Sequence, residues 1–362
     1  MVKSSASTEK PHIKPHQKPI NLALQGGGAH GAYAWGVLDA LLEDGRLYVE
    51  SICGCSAGAM NAVIFASGLH EDGAEAARKK LHEFWRRVAE AGGGLNPLGG
   101  PLQDQPWDAF LKTINPDYTA PAQIFFDAFT RSFAPKQWNP FGVNPLQKIL
   151  DEMVDFKELR KCDKTQIFIS ATNVQTGKAK VFYTEDLNIE CVLASACLPF
   201  LFDTVEVNGK PYWDGGFMGN PALYPAFERT KTSDMLIVHI NPIERKEVPD
   251  TATEIVNRVN EISFNSSLLH ELRAIAFVQK LLDQGMMKEE FRKKYKYMLM
   301  HAIRAENDLS EFSAASKFNA DWDFLCTLRD RGRDAMHKWL KKNYEVVGTH
   351  ATVDIRKEYL EN

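Results

Sequence analysis

Gly54-Cys55-Ser56-Ala57-Gly58 has the G-x-S-x-G form of a nucleophile elbow, in which a serine sits on a sharp turn between strand and helix with its hydroxyl thrust outward. Flanking glycines suit a place where strand and helix backbones crowd together, and a helix N-terminus behind the serine favours developing negative charge. The same pattern also makes plain small-residue turns, so its meaning depends on its company. Gly26-Gly27-Gly28-Ala29-His30-Gly31 can be read in two ways. Spaced as Gly26-x-Gly28-x-x-Gly31, with Glu50 near the end of the next strand as a ribose-binding acid, it fits the dinucleotide fingerprint of a nucleotide-binding oxidoreductase. Taken as free backbone N–H groups ahead of a helix, Gly26, Gly27, Gly28 and Ala29 fit an oxyanion hole, whose donors face charge building on a carbonyl oxygen. Trp213-Asp214-Gly215-Gly216 places one carboxylate at a turn. Asp-Gly alone is a common exposed turn, but a serine hydroxyl is a weak nucleophile until a base accepts its proton, and Asp214 could be that base.

A relay running serine, acid, histidine along the chain would need His239, His270, His301, His337 or His350, and none of these lies in a glycine-flanked loop like those around Ser56 and Asp214. His239 falls inside an apolar strand, and His270 and His337 fall on helical patterns. His30 lies beside the glycine turn but precedes the serine.

The elements that must hold these residues are readable from periodicity. Ile20 to Leu24 is a short apolar run, and beyond Gly31 the residues Ala34, Trp35, Val37, Leu38, Leu41 and Leu42 recur at helical spacing. The unit repeats, with Tyr48 to Cys53 as strand, Gly54 to Gly58 as turn and Ala59 to Ala66 as a buried helix ending near Gly68. Two βα units in succession predict an α/β fold, an open and mostly parallel sheet with helices on both faces and a helical C-terminal extension. The glycine loop and the elbow then fall at the C-terminal ends of adjacent strands, where such sheets place their sites. An amphipathic helix over Gly73 to Ala91 leads into an aromatic, Gly- and Pro-rich stretch, Gly92 to Pro145, that reads as a lid-like insertion. Its aromatics either pack onto the body or cover a greasy substrate. Strand signals return at Gln166 to Ala171, Ala179 to Thr184 and Phe202 to Val207, the last joined through Asn208-Gly209 to Pro211 to Trp213 as a hairpin, and again at Met235 to Ile240. From Thr251 the pattern is helical. The predicted organisation is a disordered lead-in over 1–18, a catalytic domain over 19–243 and a mainly helical region over 244–362 packed on it.

Composition narrows the function. At 44% hydrophobic and 25% charged, the 362 residues describe an ordinary globular chain. Its 43 basic against 47 acidic residues, net −4, create no field to draw in nucleic acid. No apolar run reaches the ~18 residues of a membrane span, and the polar first twenty residues lack the apolar core of a secretory signal. The six cysteines are too few and too irregular for a disulfide framework, and no zinc or calcium pattern occurs, so reduced thiols, a cytoplasmic location and no metal or cofactor are expected. Contact with a membrane or lipid droplet would be peripheral, through exposed apolar side chains of the insertion. Nothing in the composition sets the oligomeric state.

Taken together, the ordered motifs resemble the patatin-like phospholipases and acyl hydrolases, in particular their bacterial branch. Gln25 to Gly36 (QGGGAHGAYAWG) is similar to that family's glycine-rich oxyanion loop, Gly54 to Gly58 to its elbow, and Asp214-Gly215-Gly216 to its aspartate motif. Ala194 to Phe202 (ASACLPFLF) resembles the segment A-S-x-x-x-P-x-x-F between elbow and aspartate, and Asn139 to Leu146 a further stretch. The likeness covers roughly residues 20–243. It implies a hydrolase of lipid carboxylic esters, of phospholipase A or lysophospholipase type, in which Ser56 attacks the ester and Asp214 takes its proton with no histidine. Gly26 to Ala29 would hold the oxyanion, and His30, Gly31, Gly54, Gly58, Gly215 and Gly216 would shape the motifs. One departure is His30, where the family's loop usually has Arg or Lys; as a substitute cation it would carry charge only when protonated. Two other readings stay open, the oxidoreductase already named and a non-catalytic lipid-binding scaffold.

Overall fold

The computed structural model describes residues 14, 16–92, 144–199, 201–245, 247–292, 294–312 and 314–361. The predicted insertion and its aromatics, most of the lead-in, and the greater part of the Asn139 to Leu146 segment lie outside the described residues. In chain order, β1 is Lys18–Leu24, α1 Gly31–Asp44, β2 Leu47–Gly54, α2 Ala57–Asp72 and α3 Ala74–Gly92. Next come α4 (Pro145–Met153), α5 (Phe156–Leu159), β3 (Gln166–Asn173), β4 (Ala179–Tyr183), α6 (Ile189–Ser195), β5 (Val205–Val207) and β6 (Lys210–Asp214). The chain continues as α7 (Tyr224–Arg229), β7 (Asp234–His239), α8 (Ala252–Asp283), α9 (Glu289–Arg292), β8 (Leu299–Arg304) and α10 (Trp322–Asn343).

The strands form one eight-stranded sheet in the order β5-β6-β3-β2-β1-β7-β8, with β4 paired to β3. β2, β1, β7 and β8 run parallel to their neighbours, and β3 runs parallel to β2. The antiparallel pairs gather around β3, β4, β5 and β6. The expected α/β fold with an open, mostly parallel sheet is therefore what the chain adopts.

Alternation along β1 sets the two layers, because successive side chains of a strand point to opposite faces. Ile20, Leu22 and Leu24 are buried against α1, α2, α3 and α10, with Trp35, Phe65, Phe84 and Trp339 filling that side. Ala23 faces the other layer, where Phe168, Met235, Ile237, Leu268 and Leu272 pack. Asn21 is buried on this strand and is satisfied by Ser51 Oγ, which donates to its Oδ1 at 2.8 Å, and by Thr230 Oγ1 at 3.0 Å.

Several elements depart from expectation. α2 does not stop near Gly68 but runs on to Asp72, and Gly73, at φ 80°, ends it. Gly68 marks a close crossing instead, since a Cβ there would lie 2.4 Å from Ala77 Cα. The strand foreseen over Phe202 to Val207 is confined to Val205–Val207, although its hairpin turn forms as expected, with Asn208 and Gly209 both at positive φ. The C-terminal region is mainly helical but also supplies β8, which extends the sheet beside β7 and which periodicity alone had not distinguished.

Candidate active site

Strand β3 brings the elbow and the aspartate together. β4 occupies one of its edges along Phe168 to Thr172, so β2 and β6 share the other edge in turn. β2 pairs with β3 as far as Gly54 opposite Ile169, and β6 takes over with Asp214 opposite Ala171. Two residues of an extended strand span about 7 Å, so the ends of β2 and β6 meet on that edge. The intervening Ser170 ties the junction, donating to Gly219 O at 2.6 Å and to Gly54 O at 3.3 Å.

Ser56 follows this junction at φ 52°, ψ −122°, a strained conformation for a non-glycine residue and the one an elbow requires. Three contacts hold it. Its N–H donates to Ser195 Oγ at 2.9 Å, and Met60 N and Gly58 N close the first turn of α2 on Ser56 O and Cys55 O at 3.0 and 2.8 Å. Gly58 is required because a Cβ there would lie 2.2 Å from Leu24 O, and Gly54 because its Cβ would reach 2.7 Å from Gly58 O. Ser56 is half-buried.

Asp214 ends β6 and is only 1% exposed, which sets aside the reading of Asp-Gly as an exposed turn. Its main chain is clamped on both sides, with N–H donating to Cys197 O at 2.8 Å and C=O accepting from Thr172 Oγ1 at 2.8 Å. Oδ1 accepts from Gly216 N at 2.7 Å and from Cys55 Sγ at 3.6 Å, while Oδ2 is buried without a hydrogen-bond partner among the described residues. Burial pushes the carboxyl up to about 6, against smaller opposing contributions from Gly216 N–H, the neighbouring Ser56 hydroxyl and the Cys55 thiol. Gly215 and Gly216 open the short turn after it, and neither leaves room for a side chain: Cβ atoms would lie 2.2 Å from Ser170 O and from the Phe264 ring.

The glycine loop lies against the elbow. A Cβ on Gly26 would be 2.7 Å from Ser56 Cβ, and one on Gly31 2.5 Å from Ala57 Cβ. Gly26 N–H is engaged by Asn220 Oδ1 at 2.7 Å, so Gly26 contributes space and not a donor, unlike its expected part in an oxyanion hole. No acceptor takes the N–H groups of Gly27, Gly28 or Ala29 among the described hydrogen bonds, and they open the short turn Gly28–His30 that leads into α1. Gly28 has φ +59°, and its Cα is capped by the carbonyl of Lys317.

His30 is not the substitute cation. It is 4% exposed, its Nε2 is 2.7 Å from Ser316 Oγ, and burial together with the nearby Lys317 charge pushes it down to about 3. Its ring is neutral at physiological pH, and the positive charge beside the loop belongs to Lys317, which sequence reasoning had not singled out.

The other histidines lie elsewhere. His239 bonds Tyr359 and His301 bonds Asp234 and Thr352; none among the described residues bonds Ser56 or Asp214. Glu50, midway along β2, accepts from Lys231 N and Thr232 N at 2.7 and 2.8 Å, away from the glycine loop, so it is not placed as a ribose ligand. Among the described residues, no group of three or more His, Cys, Asp or Glu side chains could hold a metal ion, and no helix is long and apolar enough to cross a membrane.

Some residues that brace the site had little local signal. Gln25 Oε1 accepts from Ile240 N and Asn241 N at 3.0 and 3.1 Å, and Gln25 Nε2 donates to Asn265 Oδ1 at 3.0 Å. Asn241 Nδ2 donates to Gly26 O at 2.7 Å. Gln25 opens the segment Gln25 to Gly36, and Ser195 and Cys197 lie in Ala194 to Phe202, both of which already stood out, whereas Asn241 and Asn265 did not. The second of these segments grips both halves of the site, Ser195 at the elbow and Cys197 at the aspartate.

A family model described as patatin-like phospholipase matches residues 22–227. The chain belongs to that family. Members of the patatin-like phospholipase family are hydrolases of carboxylic ester bonds in lipids, and the matched span runs from β1 to α7, enclosing Gly26, Ser56 and Asp214. Lysophospholipase NTE1 of Cryptococcus neoformans, in two strains of serotype D, is 25% identical over 225 residues, covering 62% of this chain and 11% of the fungal protein. The chain thus spans about a tenth of the length of the curated relatives it matches. Among solved structures, VipD from Legionella pneumophila aligns with 96% of this chain and 73% of its own at 14% identity and a TM-score of 0.40. ExoU of Pseudomonas aeruginosa, in complex with SpcU, aligns with 90% of this chain and 53% of its own at 15% identity and a TM-score of 0.30.

Proposed function

We propose that this chain is a serine acyl hydrolase of lipid carboxylic esters, with Ser56 as nucleophile, Asp214 as its base and the N–H groups of Gly27, Gly28 and Ala29 as the oxyanion hole. The observation that carries the reading is Asp214 itself: a carboxylate 1% exposed, lifted to about 6, with one oxygen lacking a hydrogen-bond partner among the described residues and the Ser56 hydroxyl beside it.

In the first half-reaction Ser56 Oγ bonds to the ester carbonyl carbon as its proton passes to Asp214. Negative charge collects on the carbonyl oxygen, where each positioned N–H donor is worth ~2.7–4 kcal/mol in hydrolases that lost one. The tetrahedral adduct collapses by breaking the bond to the alcohol oxygen, which leaves with the proton from Asp214. Water then gives a proton to Asp214 and attacks the acyl-serine, and the fatty acid departs as Ser56 recovers its hydrogen. No histidine takes part. Lysophospholipids are the first substrates to try, since the curated relatives carry the name lysophospholipase.

The test is an ester series of rising acyl length, run on wild type, Ser56→Ala and Asp214→Asn, with fluorophosphonate labelling as an independent mark of a reactive serine. Both variants are expected to lose at least about a thousandfold in kcat, and Ser56→Ala to lose labelling while keeping lipid binding. A loss under about tenfold in Ser56→Ala would rule out covalent catalysis through Ser56 and favour a lipid-binding scaffold.

A further inference from the structure

Lys317 brings an ammonium to the glycine loop with no carboxylate paired to it among the described residues. It belongs to the short turn Ala314–Phe318, which packs on Gly28–His30: a Cβ on Gly28 would lie 2.3 Å from Lys317 O and 3.6 Å from its Cβ. Lys317 Nζ donates to Asn241 Oδ1 at 2.8 Å, and Asn241 Nδ2 holds Gly26 O. That oxygen of Asn241 would be 3.8 Å from a Cβ on Gly27, so one amide separates the ammonium from the loop whose N–H groups are unspent.

The carboxylates nearby are already engaged. Glu261, 3% exposed, is shared by Arg245 at 2.5 Å and Arg258 at 3.2 Å. Glu306 accepts from Ile243 N at 3.0 Å. No described carboxylate lies within ion-pair distance of Lys317 Nζ; burial lowers its pKa, and the attraction of the more distant Glu261 is countered in part by repulsion from Arg245. A cation drawn out of water beside a neutral amide, with two arginines already holding the local acid, is costly unless a ligand supplies the missing charge.

We infer that Lys317 forms an anion subsite of the ester site, taking the phosphodiester of a lipid head group while the acyl carbonyl lies at Gly27 to Ala29. The inference rests on the proposed site. A glycerophospholipid carries its phosphate a short glycerol spacer from the ester, whereas a monoacylglycerol offers the same ester with no charge there. Lys317 would therefore set which lipids are cleaved, and it reaches the site from beyond the 22–227 span that carries Ser56 and Asp214.

The test compares kcat/KM on lysophosphatidylcholine and on the monoacylglycerol of equal chain length, in wild type and Lys317→Met. The ratio of phosphodiester to neutral substrate is expected to fall about tenfold to a hundredfold, the usual cost of losing a hydrogen bond to a charged group. Because it is a ratio within one variant, partial unfolding leaves it unmoved. An unchanged ratio, including a parallel loss on both substrates, overturns the inference. A second arm measures lipid binding by tryptophan fluorescence on a Ser56→Ala background, where the assignment of Ser56 is not at stake. There Lys317→Met should weaken lysophosphatidylcholine tenfold or more and monoacylglycerol less. Equal weakening overturns the subsite, and inorganic phosphate binding as tightly as the lysolipid would assign it to a free anion and overturn the head-group reading.

Discussion

A carboxylate that must take a proton from a serine hydroxyl works better the more tightly it holds one, and desolvation at Asp214 supplies that by lifting it to about 6. The base has to be ionised to act. Hence kcat/KM should rise with pH through a single proton loss near 6 and level off above it; a flat profile down to pH 4.5 would exclude Asp214 as the titrating base. The same shift bears on stability. Because the native carboxyl binds its proton more tightly than the unfolded one, whose ordinary value is 3.8, ionisation costs the fold nothing below that value. The cost grows between 3.8 and about 6 and is complete above, at roughly 3 kcal/mol. Asp214→Asn should therefore be more stable than wild type in urea at pH 8, and the advantage should vanish as the pH falls through 6 toward 3.8. A variant less stable than wild type at pH 8 would show that the carboxylate supports the fold.

Between elements, close backbone approach does much of the positioning, and it is the part least visible in a sequence. Helix α1, which starts at the glycine loop, crosses α10 where Gly36 and Gly332 face the opposing chains: added Cβ atoms would lie 1.9 Å from Arg329 O and 2.0 Å from Tyr33 O. Neither carbonyl can withdraw without moving its helix. Gly332→Ala is expected to cost about 1–3 kcal/mol, as overpacked cores do, and to slow ester hydrolysis by displacing α1 with its loop. Urea unfolding beside a kcat measurement checks it, and a neutral effect on both would mean that the helices part freely. β1, α1, β2, the start of α2 and the Asn208-Gly209 hairpin were legible because each follows a period or a turn chemistry written in adjacent residues. The pairing of Gly36 with Gly332, the shared edge of β3 and the addition of β8 join segments far apart in the chain, and no local pattern records which partner a strand edge will take.

At the scale of the whole molecule, the C-terminal region completes the candidate site. Ser56, Asp214 and the N–H groups of Gly27 to Ala29 could be singled out by residue type and spacing, whereas Asn241, Asn265 and Lys317 are ordinary polar residues that matter only for where the fold delivers them. Asn265 reaches Gln25 from α8, Lys317 and Ser316 cover the glycine loop from the turn before α10, and β8 closes the sheet beside β7. α10 also buries Leu325, Leu328, Met336 and Leu340 in the layer that holds α1. At ~1.5–3 kcal/mol for each large side chain returned to water, losing these four alone rivals the ~5–15 kcal/mol that holds a typical domain together. A chain ended after Ile243 would keep the whole span that matches the family model but strip β7 of its outer neighbour β8 and α1 of its cover by α10. Such a chain is expected to lose a cooperative unfolding transition and, with it, fluorophosphonate labelling at Ser56, as read by calorimetry and by gel. If the shortened chain melted cooperatively and still labelled, the residues up to Ile243 would fold and organise the serine by themselves, and the braces from α8 and the Lys317 turn would tune a site that stands without them.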